Sequence, residues 1–418
     1  MFLKPGSIVR EELALDDEDL RILENTAIRY ETAMNYKTNC ELVTAGFINE
    51  DEPLVISDLL RIKNETKNGN LGIKAGDVIN DVLKKQDKIR SSVDKYVKII
   101  QKNNIKIVSR KDEDYPYMWR MLPGMPPYIF ARGDTSILKE ITFCGAAGIV
   151  GSRNPGRYSL YATEEFSKAL SLKGVVIVSG MALGIDRKAH ESCLNESGKT
   201  VAVIAGGADV VYPYKNKDIY EKISSEGVVI TELPPGQEVL RQYFPSRNRL
   251  ISALSDACLI MEAGMYSGTL HTASFAAAQG KDVFVLPNSI YYENSIGGLL
   301  LIRDGAEVLI DADTVYERIV NEIDNRRAAL EDLFPDRGKN RTIGMLRKTA
   351  KSDPQSLSED DWKEVVCDEI SERPKNIDDL CISLGIPFSY LSSLVTLLEM
   401  EGRIANENGK YVLTIRRC

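Results

Sequence analysis

A chain of 418 residues, 43% of them hydrophobic and 27% charged, carries enough apolar material for two or three cored domains of the globular class. Its formal net charge of −8 excludes a surface that coats nucleic acid as a whole, so any polyanion site must be a local basic patch on an acidic body. The seven cysteines (Cys40, Cys144, Cys193, Cys258, Cys367, Cys381, Cys418) stand singly without a CxxC, and only two histidines accompany them, which predicts reduced thiols and no metal site.

The opening "MFLKPGSIVREELALDDED" turns acidic at once, and no apolar run reaches the roughly 18 residues of a membrane helix. Neither a secretory leader nor a membrane span is expected, and the expected compartment is the cytoplasm. Residues 1–104 read as a helical accessory domain: "DLRILENTAIRYETAMNY" and "DVLKKQDKIRSSVDKYVKIIQKN" place apolar residues three and four apart, with the break "NETKNGNLG" between them. From residue 105 to 324, short continuous apolar runs ("TFCGAAGIV", "VVIVSG", "TVAVIAGG", "VVITEL", "ACLIMEA", "DVFVLPN") alternate with amphipathic helical stretches. That alternation predicts an α/β domain, a Rossmann-like, doubly wound parallel sheet covered on both faces. The charged, Pro-containing residues 325–355 read as a linker. Residues 356–418 read as a winged helix: helices at Glu359–Ser371, Ile377–Leu384 and Ser389–Met400, then "RIANENGKYVL", two strands about an Asn-Gly turn.

Ligands of such sheets bind beyond the carboxyl ends of the strands. One strand here exits into Gly151, Ser152 and Arg153; the next into "SGMALGID", with Gly180 and Met181; a third into "GGADVVYP"; a later one into "EAGMYSGTLHTA", with Ser267, Gly268 and Thr269. Glycines admit a ligand close to the backbone, hydroxyls donate to phosphate oxygens, and helix N-termini favour anions. The ligand is expected to carry phosphate, yet positions 148–153 lack GxGxxG, and "ESGKT" lacks the first P-loop glycine and lies between a helix and the next strand. No set of nucleophile, base and orienting group emerges either: Ser179 lacks the flanking glycines of a nucleophile elbow, His190 falls within a helix as a buried or capping residue, and His271 has no evident carboxylate.

The stretch "RQYFPSRNRLI" sets Arg241, Arg247 and Arg249 among Tyr243, Phe244 and Asn248. Charge for backbone phosphates beside flat faces for bases is the composition of a single-strand groove. Surface charge on a helix N-terminus is the plainer reading of the same arginines.

The ordered set "VGSRNPGRYSLYA", "IVSGMALGIDRKAH", "GGADVVYP", "ITELPPG", "FPSRNRLISALSDACLIMEAGMYSGTLHTA" and "FVLP" resembles the DprA/Smf DNA-processing family, over roughly Lys106 to Ile310. "DEDYPYMWRMLPGMPPYIFARGD" is similar to the short extension before that family's Rossmann-like domain, and the winged module to its C-terminal domain. The resemblance implies a homodimeric, non-enzymatic protein without cofactor that binds single-stranded DNA and helps load the RecA recombinase during natural transformation. It also implies that the DNA pocket falls on Gly151, Ser152, Arg153, the Gly180 loop, Arg241, Phe244, Arg247 and Arg249. Two alternatives stay open. A nucleotide-processing phosphoribohydrolase on a similar sheet would want "PGGxGTxxE" where this chain has "EAGMYSGTLHTA"; a small-nucleotide sensor would report occupancy through its winged helix. The third helix of the winged module, "SYLSSLVTLLEME", has neither Lys nor Arg, so it is not expected to read DNA.

Overall fold

The computed structural model describes residues 15–32, 53–65, 73–333, 358–372, 375–400, 403–407 and 409–413. Two compact units result, Met1–Val320 and Asn321–Cys418.

Among the described residues the first unit opens with four helices: α1 (Asp17–Glu31), α2 (Ile56–Glu65), α3 (Ile73–Lys84) and α4 (Gln86–Asn103). Asp16 caps α1 by accepting from the Asp19 N–H at 2.8 Å, and Asp19 returns the bond to the Asp16 N–H, so two donors that the first turn would leave bare are satisfied. The apolar faces of these helices, with Ile22, Leu59, Ile89 and Ile100, close on Tyr128 and Phe130 of the strand β2 described next. The Tyr128 hydroxyl also donates to Asn25 Oδ1 at 2.9 Å and accepts from Thr26 Oγ1 at 3.0 Å. The helices assigned to 1–104 therefore share one core with the sheet expected from 105, and the apolar packing has no break at that border.

The chain then runs β1 (Lys106–Ser109), α5 (Tyr117–Met121), β2 (Tyr128–Gly133), α6 (Ser136–Cys144), β3 (Ala146–Gly151), α7 (Arg157–Leu172), β4 (Val176–Ser179), α8 (Ile185–Asn195), β5 (Thr200–Val203), α9 (Lys217–Glu226) and β6 (Val228–Thr231). It continues through α10 (Tyr243–Leu254), β7 (Ala257–Glu262), α11 (Thr269–Ala278), β8 (Asp282–Val285), α12 (Ile296–Arg303), β9 (Glu307–Val308) and α13 (Ala312–Leu333). One sheet results, in the order β1-β2-β6-β5-β4-β3-β7-β8-β9. Strands β3 to β9 pair in parallel, as the alternation predicts, and β4, β5, β6 and β7 are buried at every residue, which is why they read as unbroken apolar runs. Strand order reverses between β3 and β7, the switch point where such sheets open a crevice. At the edge the sheet is mixed: β1 pairs antiparallel with β2, and β2 antiparallel with β6. The connection from β1 to β2 holds only the five-residue α5, whose Trp119 sinks into the core, so the chain returns beside β1 instead of crossing a face. Helix α13 runs on to Leu333, past the expected border at 324, and the rest of the expected linker lies outside the described residues.

The second unit holds α14 (Glu359–Glu372), α15 (Ile377–Leu384), α16 (Phe388–Met400) and the hairpin β10 (Ile404–Glu407) and β11 (Lys410–Leu413), the winged-helix plan expected. Trp362, Val366, Leu380, Leu391 and Leu398 form its core. Asn376 caps α15 by accepting from the Asp379 N–H at 2.7 Å, and Gly385 ends that helix in the left-handed region. Among the described residues no helix is long and apolar enough to cross a membrane.

Candidate nucleic-acid interface

Three strand ends converge with the N-terminus of α10. At the first, β3 leaves the sheet through a register shift at Val150/Gly151, and a Cβ on Gly151 would fall 2.6 Å from Ile185 Cγ1. The glycine is thus required by the seating of α8 against β3. Ser152 closes its own turn by accepting from the Asn154 N–H at 3.2 Å, and its carbonyl accepts from the Ile185 N–H at 3.2 Å. Arg153 stands exposed at the tip.

The loop after β4 is held from every side. Arg247 Nη1 donates to the carbonyls of Gly180 and, at 2.6 Å, Val203. A Cβ at position 180 would sit 1.9 Å from that same nitrogen, so Gly180 makes room for the guanidinium. Asn216 Nδ2 donates to Met181 O at 2.8 Å and Ala182 O at 3.1 Å, while Asp186 accepts from the Ala182 N–H at 3.2 Å. This clamp keeps Met181 buried at a φ of 61°, a conformation a side chain rarely adopts unless its surroundings enforce it.

Helix α10 supplies the third part. Residues three and four apart share a helix face, which brings Phe244, Arg247 and Asn248 together and turns Arg249 elsewhere. The Arg153 guanidinium lies over the Phe244 ring at 4.9 Å from its centroid, and that of Arg247 at 5.8 Å. Tyr212, from the loop after β5, meets Phe244 edge-on at 6.2 Å. Arg153, Tyr212 and Phe244 line an open cleft together with Gly180, Met181 and Ile204.

The four expected arginines separate here. Arg153 and Arg241 are exposed, whereas Arg247 is only 6% exposed and Arg249 is ion-paired with Glu232. Arg247 is therefore an internal strut beneath the cleft, not a surface contact, and Arg249 is already neutralised. Burial lowers the Arg247 pKa to about 10, with the carboxylate of Asp186 opposing and the charge of Arg153 adding to the fall. Burial raises the Asp186 carboxyl above its ordinary range, against the pull of Arg247. Two guanidiniums facing one buried carboxylate leave a net positive charge at the cleft, where Arg153 can present it to solvent.

Ser267, Gly268 and Thr269 form the turn that opens α11. Ser267 Oγ accepts from the Thr269 N–H at 3.2 Å, and Asn248 Nδ2 donates to Gly268 O at 3.3 Å, which ties this turn to α10. A Cβ on Gly268 would meet only open space, so packing does not require glycine there as it does at Gly151 and Gly180. Sequence reasoning missed Glu262, at the end of β7. Its carboxylate is 3% exposed and accepts from the Gly156 N–H at 2.9 Å and Ser159 Oγ at 2.7 Å, so it fixes the loop that carries Arg153. The signal was present: an acidic residue ends an otherwise wholly apolar strand, "ACLIME".

Ser179 is fully buried and donates to Ile149 O at 2.6 Å. His190 is buried as expected, with Nδ1 2.7 Å from Thr200 Oγ1; burial first, and the nearby Arg247 charge second, lower its pKa to about 3. Neither faces the cleft as a nucleophile or base would.

The family model for DNA recombination-mediator protein A matches residues 106–320, and that for the DprA winged helix domain matches residues 349–410. Protein Smf of Synechocystis sp. is 32% identical over 324 residues, which span 74% of this chain and 80% of that protein. The DNA processing protein DprA of Bacillus subtilis is 34% identical over 217 residues, 52% of this chain and 71% of that one. The X-ray structure of DNA processing protein A from Streptococcus pneumoniae is similar at 28% identity and a TM-score of 0.58, covering 73% of this chain and 98% of that chain.

Proposed function

The chain belongs to the DNA recombination-mediator protein A family, and on that premise we propose that it binds single-stranded DNA in the cleft beside Arg153 without breaking a bond. The observation that carries this reading is the exposed Arg153 guanidinium stacked on Phe244 at the mouth of a cleft formed by strand ends. The arginine offers charge to a backbone phosphate, and the aromatic edge of the cleft offers a face to a base. The clamped Gly180 loop supports the reading further, because a rigid wall adds no ordering cost on binding.

Within the cell the protein would protect incoming single strands during natural transformation and pass them to the RecA recombinase, acting in the cytoplasm as a homodimer and not as an enzyme. The edge strand β9 supports a second copy: Val308 and Ile310 are 40% and 79% exposed there, an apolar margin at the end of the sheet. Light scattering that finds a monomer at micromolar concentration would remove the dimer from the proposal.

The binding reading is tested by titrating the protein with labelled single-stranded oligonucleotides and with mononucleotides. Oligonucleotides should bind and be recovered intact. Preference for mononucleotides, or release of free base from them, would overturn the reading in favour of a sensor or a hydrolase.

A further inference from the structure

We propose that the loops above the switch point carry a tyrosine platform on which a single strand continues beyond Arg153, so that the DNA path is longer than the cleft. The inference rests on the binding reading above and extends it to residues on the other side of the Arg153 loop.

Three loops meet there, after β3, β7 and β8, and their bases are tied. Besides Gly156 and Ser159, Glu262 accepts from the Tyr292 hydroxyl at 3.4 Å. Asn294 Nδ2 donates to the Tyr292 hydroxyl at 3.3 Å, and a Cβ on Gly264 would come within 3.6 Å of Asn294. Each tie stands one or two residues from an outward tyrosine: Tyr158 lies between Gly156 and Ser159, Tyr291 precedes Tyr292, and Tyr266 follows Gly264 by two. The anchored loops hold their tips out. Tyr266 is 96% exposed and Tyr291 91%, with Ile290 at 67% next to Tyr291; Tyr158, in the first turn of α7, is 52% exposed.

Bare rings grouped on loops whose bases are tied to one carboxylate form an interaction surface, which a scatter of single exposed side chains would not. The chemistry favours nucleic acid. Tyrosine faces stack on any base, which suits a strand of arbitrary sequence. Arg153 and Arg157, both exposed, flank the same loop, whereas the carboxylate of Glu262 is buried and consumed by its hydrogen bonds. Glu293 is the exposed carboxylate of the 286–295 loop, and two arginines outweigh it. Tyr158 follows Arg153 by only five residues, so the platform begins at the turn that carries the cleft's arginine.

The test compares oligothymidylates of about 5 and about 20 nucleotides, the first confined to the cleft and the second long enough to leave it. The Tyr266→Ala/Tyr291→Ala variant should keep its melting temperature and its affinity for the short strand. For the long strand it should lose at least about fivefold per stack, with an unchanged salt slope, and Tyr266→Phe/Tyr291→Phe should restore the loss. An Arg153→Ala variant, by contrast, should weaken both lengths. Equal affinity of the alanine variant and the parent at both lengths overturns the platform, also when the variant instead shifts to monomer, which would assign the surface to a second copy. Parallel loss at both lengths overturns it too, because the rings would then belong to the cleft. A parent protein that binds neither strand sinks the binding reading itself, a different result from all of these.

Discussion

Helix α10 in the sheet unit and helix α16 in the winged unit offer a polyanion very different surfaces. Helix α16 buries Leu391, Leu394 and Leu398 and exposes Ser393, Thr396, Glu399 and Met400, with no Lys or Arg along Phe388–Met400. Helix α10 begins after exposed Arg241 and aims Phe244 into a cleft. Yet neither arginine within α10 is a free cation: Arg247 is buried under the Gly180 loop and Arg249 is paired with Glu232. The arginine charge that lines the cleft comes from Arg153, on a separate loop. The contrast shows that a helix's place in the fold, and even its count of arginines, says less than where each guanidinium is already engaged.

The largest effect that would break this comparison is at Arg247. Replacing it with glutamate sets a second carboxylate beside Asp186 and strips the Gly180 and Val203 carbonyls of their donor. Leaving a buried charge uncompensated costs about 3–5 kcal/mol, so Arg247→Glu should lower the melting temperature steeply and lose DNA affinity with it. The double variant Asp186→Asn/Arg247→Met, which removes both charges, should recover part of the stability. A stable, well-folded Arg247→Glu protein that merely binds DNA less well would restore Arg247 to the role of surface contact.

Next come the two residues of the exposed stack. Phe244→Ala should weaken single-strand binding by about 1–3 kcal/mol with little change in its salt dependence, since stacking releases no counterions. Arg153→Ala should act the other way, reducing the slope of log K against log salt by about 0.7 for the phosphate it neutralises. Salt-series binding curves separate the two, and matching slopes in both variants would mean that ring and guanidinium do not divide the work as argued.

How much of this was legible follows from where the information sits. The doubly wound sheet was readable because doubly covered strands such as Val176–Ser179 and Val228–Thr231 leave continuous apolar runs, and the winged unit because its turns carry local signals such as Asn376 and Gly385. The core shared between the N-terminal helices and β2 was not, because it depends on contacts like Tyr128 with Asn25, more than a hundred residues apart. At the site, the strand-end loops were predictable and the employment of their residues was not. Arg247 and Arg153 look alike in sequence; only the fold, which puts Gly180 and Asp186 around one and solvent around the other, tells them apart. Gly151 and Gly180 likewise read as room for a ligand and prove to be room for Ile185 and Arg247.

Acid offers a smaller and more selective probe. His190 is held neutral, its pKa lowered to about 3 by burial and then by Arg247, while the unfolded chain takes up a proton near the ordinary value of 6.5. The unfolded state therefore binds more protons as pH falls below about 6.5, and stability should drop by up to about 1.4 kcal/mol per pH unit until the folded pKa is reached. Both histidines lie in Met1–Val320, so this contribution is confined to the sheet unit. Calorimetry at pH 7.5 and 5.5 should show the loss, and His190→Gln should flatten it; an acid slope untouched by that substitution would assign it to the carboxylates.

The smallest expected effect sharpens the comparison from the winged side. If DNA is held by Arg153, Phe244 and the cleft around them, a chain truncated after Pro354 should keep its single-strand affinity within a factor of about two, less than the roughly 1.4 kcal/mol that a tenfold change represents. The physical ground is the surface of α16: reading a groove takes donors that reach base edges and cations that offset phosphates, and this helix presents Glu399 and apolar Phe388, Tyr390 and Met400 instead. Those exposed apolar side chains fit contact with protein better than contact with a polyanion, so truncation should change what the DNA-bound protein associates with before it changes how tightly DNA is bound. The measurement is oligonucleotide affinity of the full and truncated chains at matched salt. Loss of most of the affinity on truncation would move the DNA site, at least in part, to the winged unit, and the contrast between the two helices would then have been drawn from the wrong surface.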